Sequence, residues 1–265
     1  MANYKVALDA GHGGSDPGAV YNGRQEKDDT LDLTLAVGDI LKKNGVDVFY
    51  TRTTDEYETP FKKATDANNS GADLFISIHR NSSETPNQYS GVESLVFNDT
   101  GLKAEVARNI NNQLEDVGFK NLGVDVRKNL VVLKRTKMPA VLVEAGFINN
   151  DKDNYLFDQE FDKIANAIAD GILESIPASE RGSGQSSNNN QRNGSTSGSM
   201  TPRSTTGAMA GSTTTGSMMG SMTTSSMTGA ASISDSATTS MSMENAENVA
   251  DISPVNVAEK PLYST

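Results

Sequence analysis

Apolar positions in the first two thirds of the chain follow two spacings. Short apolar or β-branched runs predict six strands, at residues 5–9, 46–51, 74–78, 92–97, 130–133 and 140–143. Between these runs, apolar residues recur every three or four positions and predict four helices, over residues 28–44, 60–70, 102–117 and 161–176. Gly45, Gly71, Gly118 and Pro177 are the expected stop signals of these helices.

Strands that alternate with helices of this length indicate βα units. The most apolar runs, LFISI and AVLV, are typical of strands that are covered on both faces. The sequence therefore predicts an α/β fold: a single domain with a twisted, mostly parallel sheet flanked by helices.

Composition changes sharply after this pattern ends. All 8 Phe precede residue 162, whereas 8 of the 10 Met lie within residues 200–243, among Ser, Thr and Gly. A segment with so few aromatic and branched apolar residues cannot bury enough surface to offset its ordering entropy. We therefore expect residues 1–177 to form the domain and residues 178–265 to be a low-complexity, disordered tail, most simply a solvated extension.

Composition also excludes several classes of protein. The chain has no Cys, so disulfide scaffolds, thiolate metal sites and cysteine nucleophiles are excluded. A net charge of −11 argues against nonspecific nucleic-acid binding. The sequence contains no run of 18 apolar residues, so no membrane-spanning helix is predicted. The N-terminus lacks the apolar core of a secretory signal. We expect a monomer that is synthesised in the cytoplasm.

The two histidines of the chain stand at equivalent places. His12 follows the first predicted strand, and His79 ends the third. In open α/β sheets, ligand sites lie beyond the carboxyl ends of the strands. Two unrelated histidines remain an alternative, but the placement favours one shared site.

Two imidazoles leave a metal site incomplete, since a catalytic zinc takes three protein ligands, for example two His and one Glu. The carboxylates near the first loop are Asp16, Glu26, Asp28 and Asp29. Asp28 and Asp29 are also explained as helix-capping acids and Asp16 as the cap of its own turn. Glu26 can reach back over the Gly-rich loop, or it can be a solvated surface acid. The residues alone leave this choice open.

Glu144 ends the strongly apolar run 139–143. An isolated buried carboxylate is unfavourable, but beside a metal site it can accept a proton from water. The alternative is a strand-end acid that binds backbone N–H groups.

Four blocks together resemble the zinc-dependent N-acetylmuramoyl-L-alanine amidases of the Amidase_3 type. They are residues 9–18 (DAGHGGSDPG), 25–27 (QEK), 77–81 (SIHRN) and 139–149 (PAVLVEAGFIN). The resemblance implies that His12, Glu26 and His79 bind Zn²⁺ and that Glu144 is the catalytic acid. It also implies peptidoglycan as the substrate and the amide between N-acetylmuramic acid and L-alanine as the bond that is cut.

The resemblance leaves two other functions open. The same zinc site could serve a peptidase that cuts another peptidoglycan amide, or the domain could bind the wall without catalysis. Arg80 follows His79 where small residues are commoner in relatives, so a substrate contact is expected to differ there. Without a secretory signal, the chain is expected to reach the wall after lysis or by non-classical release, as an endolysin or an autolysin does.

Overall fold

The computed structural model describes residues 3–182. Apart from its first five residues, the predicted tail lies outside this range. The described residues form an α/β domain. Its elements, in chain order, are β1 (Lys5–Ala10), β2 (Val20–Tyr21), β3 (Arg24–Gln25), α1 (Glu26–Lys43), β4 (Asp47–Tyr50), α2 (Pro60–Asn69), β5 (Leu74–Asn81), β6 (Val92–Val96), α3 (Leu102–Val117), β7 (Asn121–Val126), α4 (Val131–Arg135), β8 (Ala140–Phe147), α5 (Asp151–Gln159) and α6 (Phe161–Glu174), followed by a short 3₁₀ helix (Ala178–Glu180).

Six strands form one sheet in the order β4-β1-β5-β8-β6-β7. All neighbouring pairs are parallel except β6 and β8, which are antiparallel. The prediction of a mostly parallel sheet flanked by helices is therefore confirmed. The carboxyl ends of β1, β5 and β8 meet at one edge, because these three strands are adjacent and run in the same direction.

Side chains of each central strand alternate between two apolar layers, as the two-residue period of a strand requires. On β1, Val6 and Leu8 pack into the larger layer, which α1, α3 and α6 cover. Ala7 points to the smaller layer, which α2 and α4 cover. Both faces of the sheet are thus buried, which explains why the central strands are apolar throughout.

Several elements differ from the sequence prediction, and the short strands β2 and β3 are among those that were not predicted. Residues 130–133 are not a strand: Leu130 is the N-cap of helix α4, and Val132 and Leu133 are buried in the smaller layer. A four-residue apolar run does not distinguish a strand from one turn of helix, so packing decides. Strand β7 and helix α5 were not predicted, because β7 is a half-buried edge strand and α5 buries only Asp153 and Phe157.

Backbone hydrogen bonds continue beyond Pro177. Tyr4 N–H donates to the carbonyl of Glu180 at 2.8 Å, and Gly182 N–H donates to that of Gly45 at 2.8 Å. Residues up to Gly182 therefore contact the domain. Within the described range, no helix combines the length and apolar character needed to cross a membrane.

Candidate metal centre

The loop after β1 holds His12 in a fixed orientation. Its backbone has a φ of 58°, in the left-handed region that few residues other than glycine adopt. The ring Nδ1 lies 2.8 Å from Asp16 Oδ2, and Asp16 Oδ1 accepts a hydrogen bond from Gly18 N–H at 3.0 Å. Asp16 therefore both caps its turn and orients the imidazole, so that Nε2 faces the sheet edge. The spacing of four residues between His12 and Asp16 was the only sequence signal of this contact.

Glu26 is the first residue of α1, so the helix begins two residues before the predicted acids. Its side chain is buried, and its Oε2 lies 3.1 Å from His12 Nε2. The same carboxylate accepts hydrogen bonds from Ala19 N–H at 2.9 Å and Arg80 N–H at 3.0 Å. It is therefore not a solvated surface acid. Asp28 lies in the first helical turn and is exposed.

His79 lies within β5 and completes the group. Its Nδ1 is 2.9 Å from Glu26 Oε1, and its ring meets that of His12 edge to face, with the centroids 4.9 Å apart. One ligand atom from each of His12, Glu26 and His79 lies within 4.8 Å of the other two. The structure thus brings together all three residues that the resemblance implied as ligands.

Two glycines allow the three side chains to approach each other. A Cβ on Gly11 would lie 2.5–2.7 Å from three atoms of the His79 ring. A Cβ on Gly18 would lie 2.6 Å from both Glu26 Oε2 and His12 Cδ2. Both contacts are far inside van der Waals distance, so larger residues would displace the side chains of the centre.

The electrostatics of the group favour positive charge beside the Glu26 carboxylate. Burial raises the pKa of Glu26, but hydrogen bonds from His12 and His79 outweigh burial and hold this pKa well below its usual range. Burial lowers the pKa of His12, but hydrogen bonds to Asp16 and Glu26 outweigh burial and raise this pKa to about 10. Among the described residues, only the two histidines form ion pairs with Glu26. Two imidazoles around a buried carboxylate are a donor set that fits a transition-metal ion.

Glu144 lies beside this group but outside it. It is not at the end of its strand, since β8 continues to Phe147, and it is paired in register with His79 on β5 and Glu93 on β6. Its carboxyl is buried, and Oε2 has no hydrogen-bond partner among residues 3–182. Burial, followed by the charges of Glu26 and Glu93, raises the pKa of Glu144 well above its ordinary value. The arrangement is that of a carboxyl with high proton affinity and one oxygen unused.

Arg80, where the sequence led us to expect a different substrate contact, is used for packing inside the domain. Its side chain is fully buried and forms an ion pair with Asp29. The guanidinium also donates to Asn154 Oδ1 at 2.8 Å and lies 4.1 Å from the ring centroid of Phe157. Arg80 therefore connects β5 with α1 and α5 behind the metal centre.

Comparison with known proteins gives one consistent result. The sequence profile of the family described as N-acetylmuramoyl-L-alanine amidase (Amidase_3) matches residues 6–174. The sporulation-specific N-acetylmuramoyl-L-alanine amidase of Bacillus subtilis (strain 168) is 39% identical over 153 residues, 56% of this chain and 58% of that protein. The endolysin of Bacillus phage SPP1 is 38% identical over 167 residues, 58% of this chain and 60% of that one.

A solved structure shows the same fold. The crystal structure of N-acetylmuramoyl-L-alanine amidase from Clostridium difficile 630 has a TM-score of 0.62 and 31% identity, and the match covers 66% of this chain and 97% of that one. By contrast, the chain spans only about 60% of the length of the curated relatives named above. The similarity to these relatives therefore covers only part of their length.

Proposed function

Because the chain belongs to the Amidase_3 family of N-acetylmuramoyl-L-alanine amidases, we propose that it hydrolyses the amide bond between N-acetylmuramic acid and L-alanine in peptidoglycan, with zinc as the cofactor. The observation that carries this proposal is the convergence of His12, Glu26 and His79 beside a buried Glu144. The route by which the chain reaches the wall stays a prediction from the sequence.

His12, Glu26 and His79 are the residues that would hold the zinc ion. Two His and one Glu form a ligand set that leaves a fourth position open. When bound there, zinc would polarise the scissile carbonyl and make water acidic enough to attack near neutral pH. Asp16 supports this role of His12, because a carboxylate that accepts a hydrogen bond from Nδ1–H would leave the lone pair of Nε2 free to bind the metal.

Glu144 is proposed to move the proton during hydrolysis. Its unpartnered Oε2 can accept a proton from the attacking water as the oxygen of that water bonds to the lactyl carbonyl carbon. When the C–N bond breaks, the same oxygen can return the proton to the departing amine of L-alanine. The described residues contain two histidines, and both are proposed to bind the metal. No imidazole is left to donate the proton, so the Glu144 carboxyl serves both steps.

Digestion of purified peptidoglycan tests the function directly. The purified chain is incubated with and without a zinc chelator, and the new chain ends are identified by mass spectrometry. We expect free lactyl carboxyl groups on muramic acid and free amines on L-alanine, lost with the chelator and restored by added Zn²⁺. New amines at other stem-peptide residues would identify a peptidase instead, and chelator-resistant cleavage would contradict the metal site.

Two single substitutions in the first turn of α1 test whether Glu26 is a metal ligand. Glu26→Gln removes a ligand charge, and we expect it to lose zinc by elemental analysis together with activity. Asp28→Asn makes the same kind of change on an exposed acid two residues away and should keep both. Stoichiometric zinc in Glu26→Gln, or its loss in Asp28→Asn, would contradict the assignment.

A further inference from the structure

Two buried cations hold the backbone on which His12 is carried. Lys63 Nζ donates to the carbonyl of Ala10 at 2.6 Å and to that of His12 at 3.3 Å. Arg52 Nε donates to the carbonyl of Ala10 at 3.1 Å, and its Nη2 donates to that of Gly11 at 2.8 Å. Three successive carbonyls, from the end of β1 to His12, are therefore bound by side chains from outside the loop.

Arg52 also reaches the helix that begins with Glu26. The same Nη2 donates to the carbonyl of Lys27 at 2.9 Å and lies 3.2 Å from Thr30 Oγ1. The hydroxyl of Thr30 in turn donates to the carbonyl of Gly11 at 2.8 Å. One buried guanidinium and one buried hydroxyl thus connect the His12 loop to the first turn of α1.

We propose that Arg52, together with Thr30, is a positioning residue for the metal centre: it fixes the distance between His12 on its loop and Glu26 on α1. The left-handed backbone of His12 is unfavourable without external contacts, and Gly11, which both residues hold, lies directly against the ring of His79. A shift of Gly11 would therefore move His12, which follows it in the loop, and the ring of His79, which lies against it. The inference rests on the proposed zinc site.

Charge and positioning lead to opposite expectations for Arg52. Lys63 is compensated by Asp9, whose Oδ1 lies 3.0 Å from Lys63 Nζ. The hydrogen bonds of Arg52, by contrast, go to backbone carbonyls and the Thr30 hydroxyl, and the charges of Asp9, Asp55, Asp28 and Asp16 act on it from a greater distance. Its positive charge near the site repels a divalent cation, so on charge alone Arg52→Met should bind zinc more tightly. If Arg52 positions the ligands, the same variant should bind zinc more weakly.

The test measures metal binding by the full-length chain rather than turnover. Zn²⁺ affinity is determined by competition with a chromophoric chelator, and the geometry of the site is followed in the visible spectrum of the Co²⁺-loaded protein. The variants are Arg52→Met, Arg52→Lys and Thr30→Val, with Thr30→Ser as the variant that restores the hydroxyl. Leu114→Ala on α3 is the control for lost stability, because Leu114 is a buried core residue whose helix does not contribute to the metal centre.

We expect Arg52→Met and Thr30→Val to bind Zn²⁺ about 10- to 100-fold more weakly, the range found for residues that support metal ligands. Arg52→Lys should lie between Arg52→Met and the parent chain. Thr30→Ser should regain most of the affinity, and Leu114→Ala should melt at a lower temperature but bind Zn²⁺ as the parent does. The Co²⁺ spectrum should change only in the variants that lose affinity.

Three results would overturn the inference. They are tighter or unchanged binding by Arg52→Met, an unchanged affinity and Co²⁺ spectrum in Thr30→Val, and a loss of affinity in Leu114→Ala as large as in the Arg52 variants. If Arg52→Met does not fold, Thr30→Val and Thr30→Ser decide, since they differ from the parent chain by few atoms. Failure of the parent chain to bind Zn²⁺ would instead contradict the proposed function.

Discussion

Gly18 gives a sharp test of the metal centre, because a single added methyl group would meet two ligands at once. In Gly18→Ala the new Cβ would lie 2.6 Å from both Glu26 Oε2 and His12 Cδ2, whereas ordinary van der Waals contacts of a Cβ lie at 3.4–4 Å. The side chains must therefore separate by about 1 Å. Metal sites and catalytic geometries tolerate only about 0.2–0.5 Å.

The substitution also strains the backbone, and Gly23 allows this effect to be measured separately. Gly18 has a φ of 66° and Gly23 a φ of 84°, but a Cβ on Gly23 would have nothing within 4 Å. Left-handed backbone costs an alanine about 1–2 kcal/mol at either position. For a domain of this size, that corresponds to a melting temperature lower by about 2–8 °C in both variants.

The two variants should therefore differ in metal binding and catalysis, and Gly18→Ala should be the less stable of the two because its methyl group also meets packed side chains. We expect Gly18→Ala to lose about 100-fold or more in Zn²⁺ affinity and in kcat/KM, the loss typical of a 1 Å misplacement. Gly23→Ala should match the parent chain in both. Chelator competition, hydrolysis of soluble muropeptides and thermal unfolding monitored by circular dichroism provide the three measurements. Equal zinc affinity in the two variants would refute the reasoning.

Three further predictions follow from the described contacts. Glu144→Gln should keep its zinc and lose about 10²–10⁴-fold in turnover; loss of zinc by elemental analysis, or a fall below about tenfold, would contradict its role. Lys63→Met should destabilise the domain by about 3–5 kcal/mol in denaturant unfolding, because it leaves the charge of Asp9 buried, and Asp9→Asn combined with it should restore most of the loss. Burial raises the pKa of Asp9, but Lys63 and the hydroxyls of Ser77 and Thr51 outweigh burial and hold this pKa below its usual range; the contribution of Asp9 is present above its ordinary pKa and is lost as the pH falls through the lowered pKa, so the parent chain should lose more stability than the double variant as the pH falls below about 4. A chain that ends after Gly182 should keep its melting temperature and its rate on soluble muropeptides, since the removed composition gives no core; a drop of several degrees would contradict this.

Local signals were sufficient for most of the fold and for part of the candidate site. Apolar runs bounded by Gly and Pro located β1, β5 and β8, because both faces of these strands are buried and leave an uninterrupted pattern. The positions of His12 and His79 then followed from a general property of parallel sheets, in which ligands bind at the carboxyl edge. Nothing beyond the sequence was needed to place the two imidazoles near each other.

Glu26 could not be selected from the residues alone. Four carboxylates lie within reach of the loop, and helix-capping preferences favour a start at Asp28 or Asp29. In the structure α1 begins at Glu26, with Gln25 at the N-cap and no side-chain hydrogen bond there. The carboxylate that would otherwise face solvent is held instead by Ala19 N–H, Arg80 N–H and the two histidines. These partners come from distant parts of the chain, so only the resemblance identified it.

The proton affinity of Glu144 depends on a feature that no local pattern reveals. Sequence placed this residue at the end of a strand, where backbone N–H groups could have stabilised its charge. The antiparallel pairing of β6 with β8 reaches Glu144 as its last pair and sets Glu93 directly opposite it. A second carboxylate on the neighbouring strand, added to burial, keeps the carboxyl of Glu144 protonated to higher pH. The antiparallel pair of the described six-stranded sheet thus places a second carboxylate opposite the residue that is proposed to move the proton.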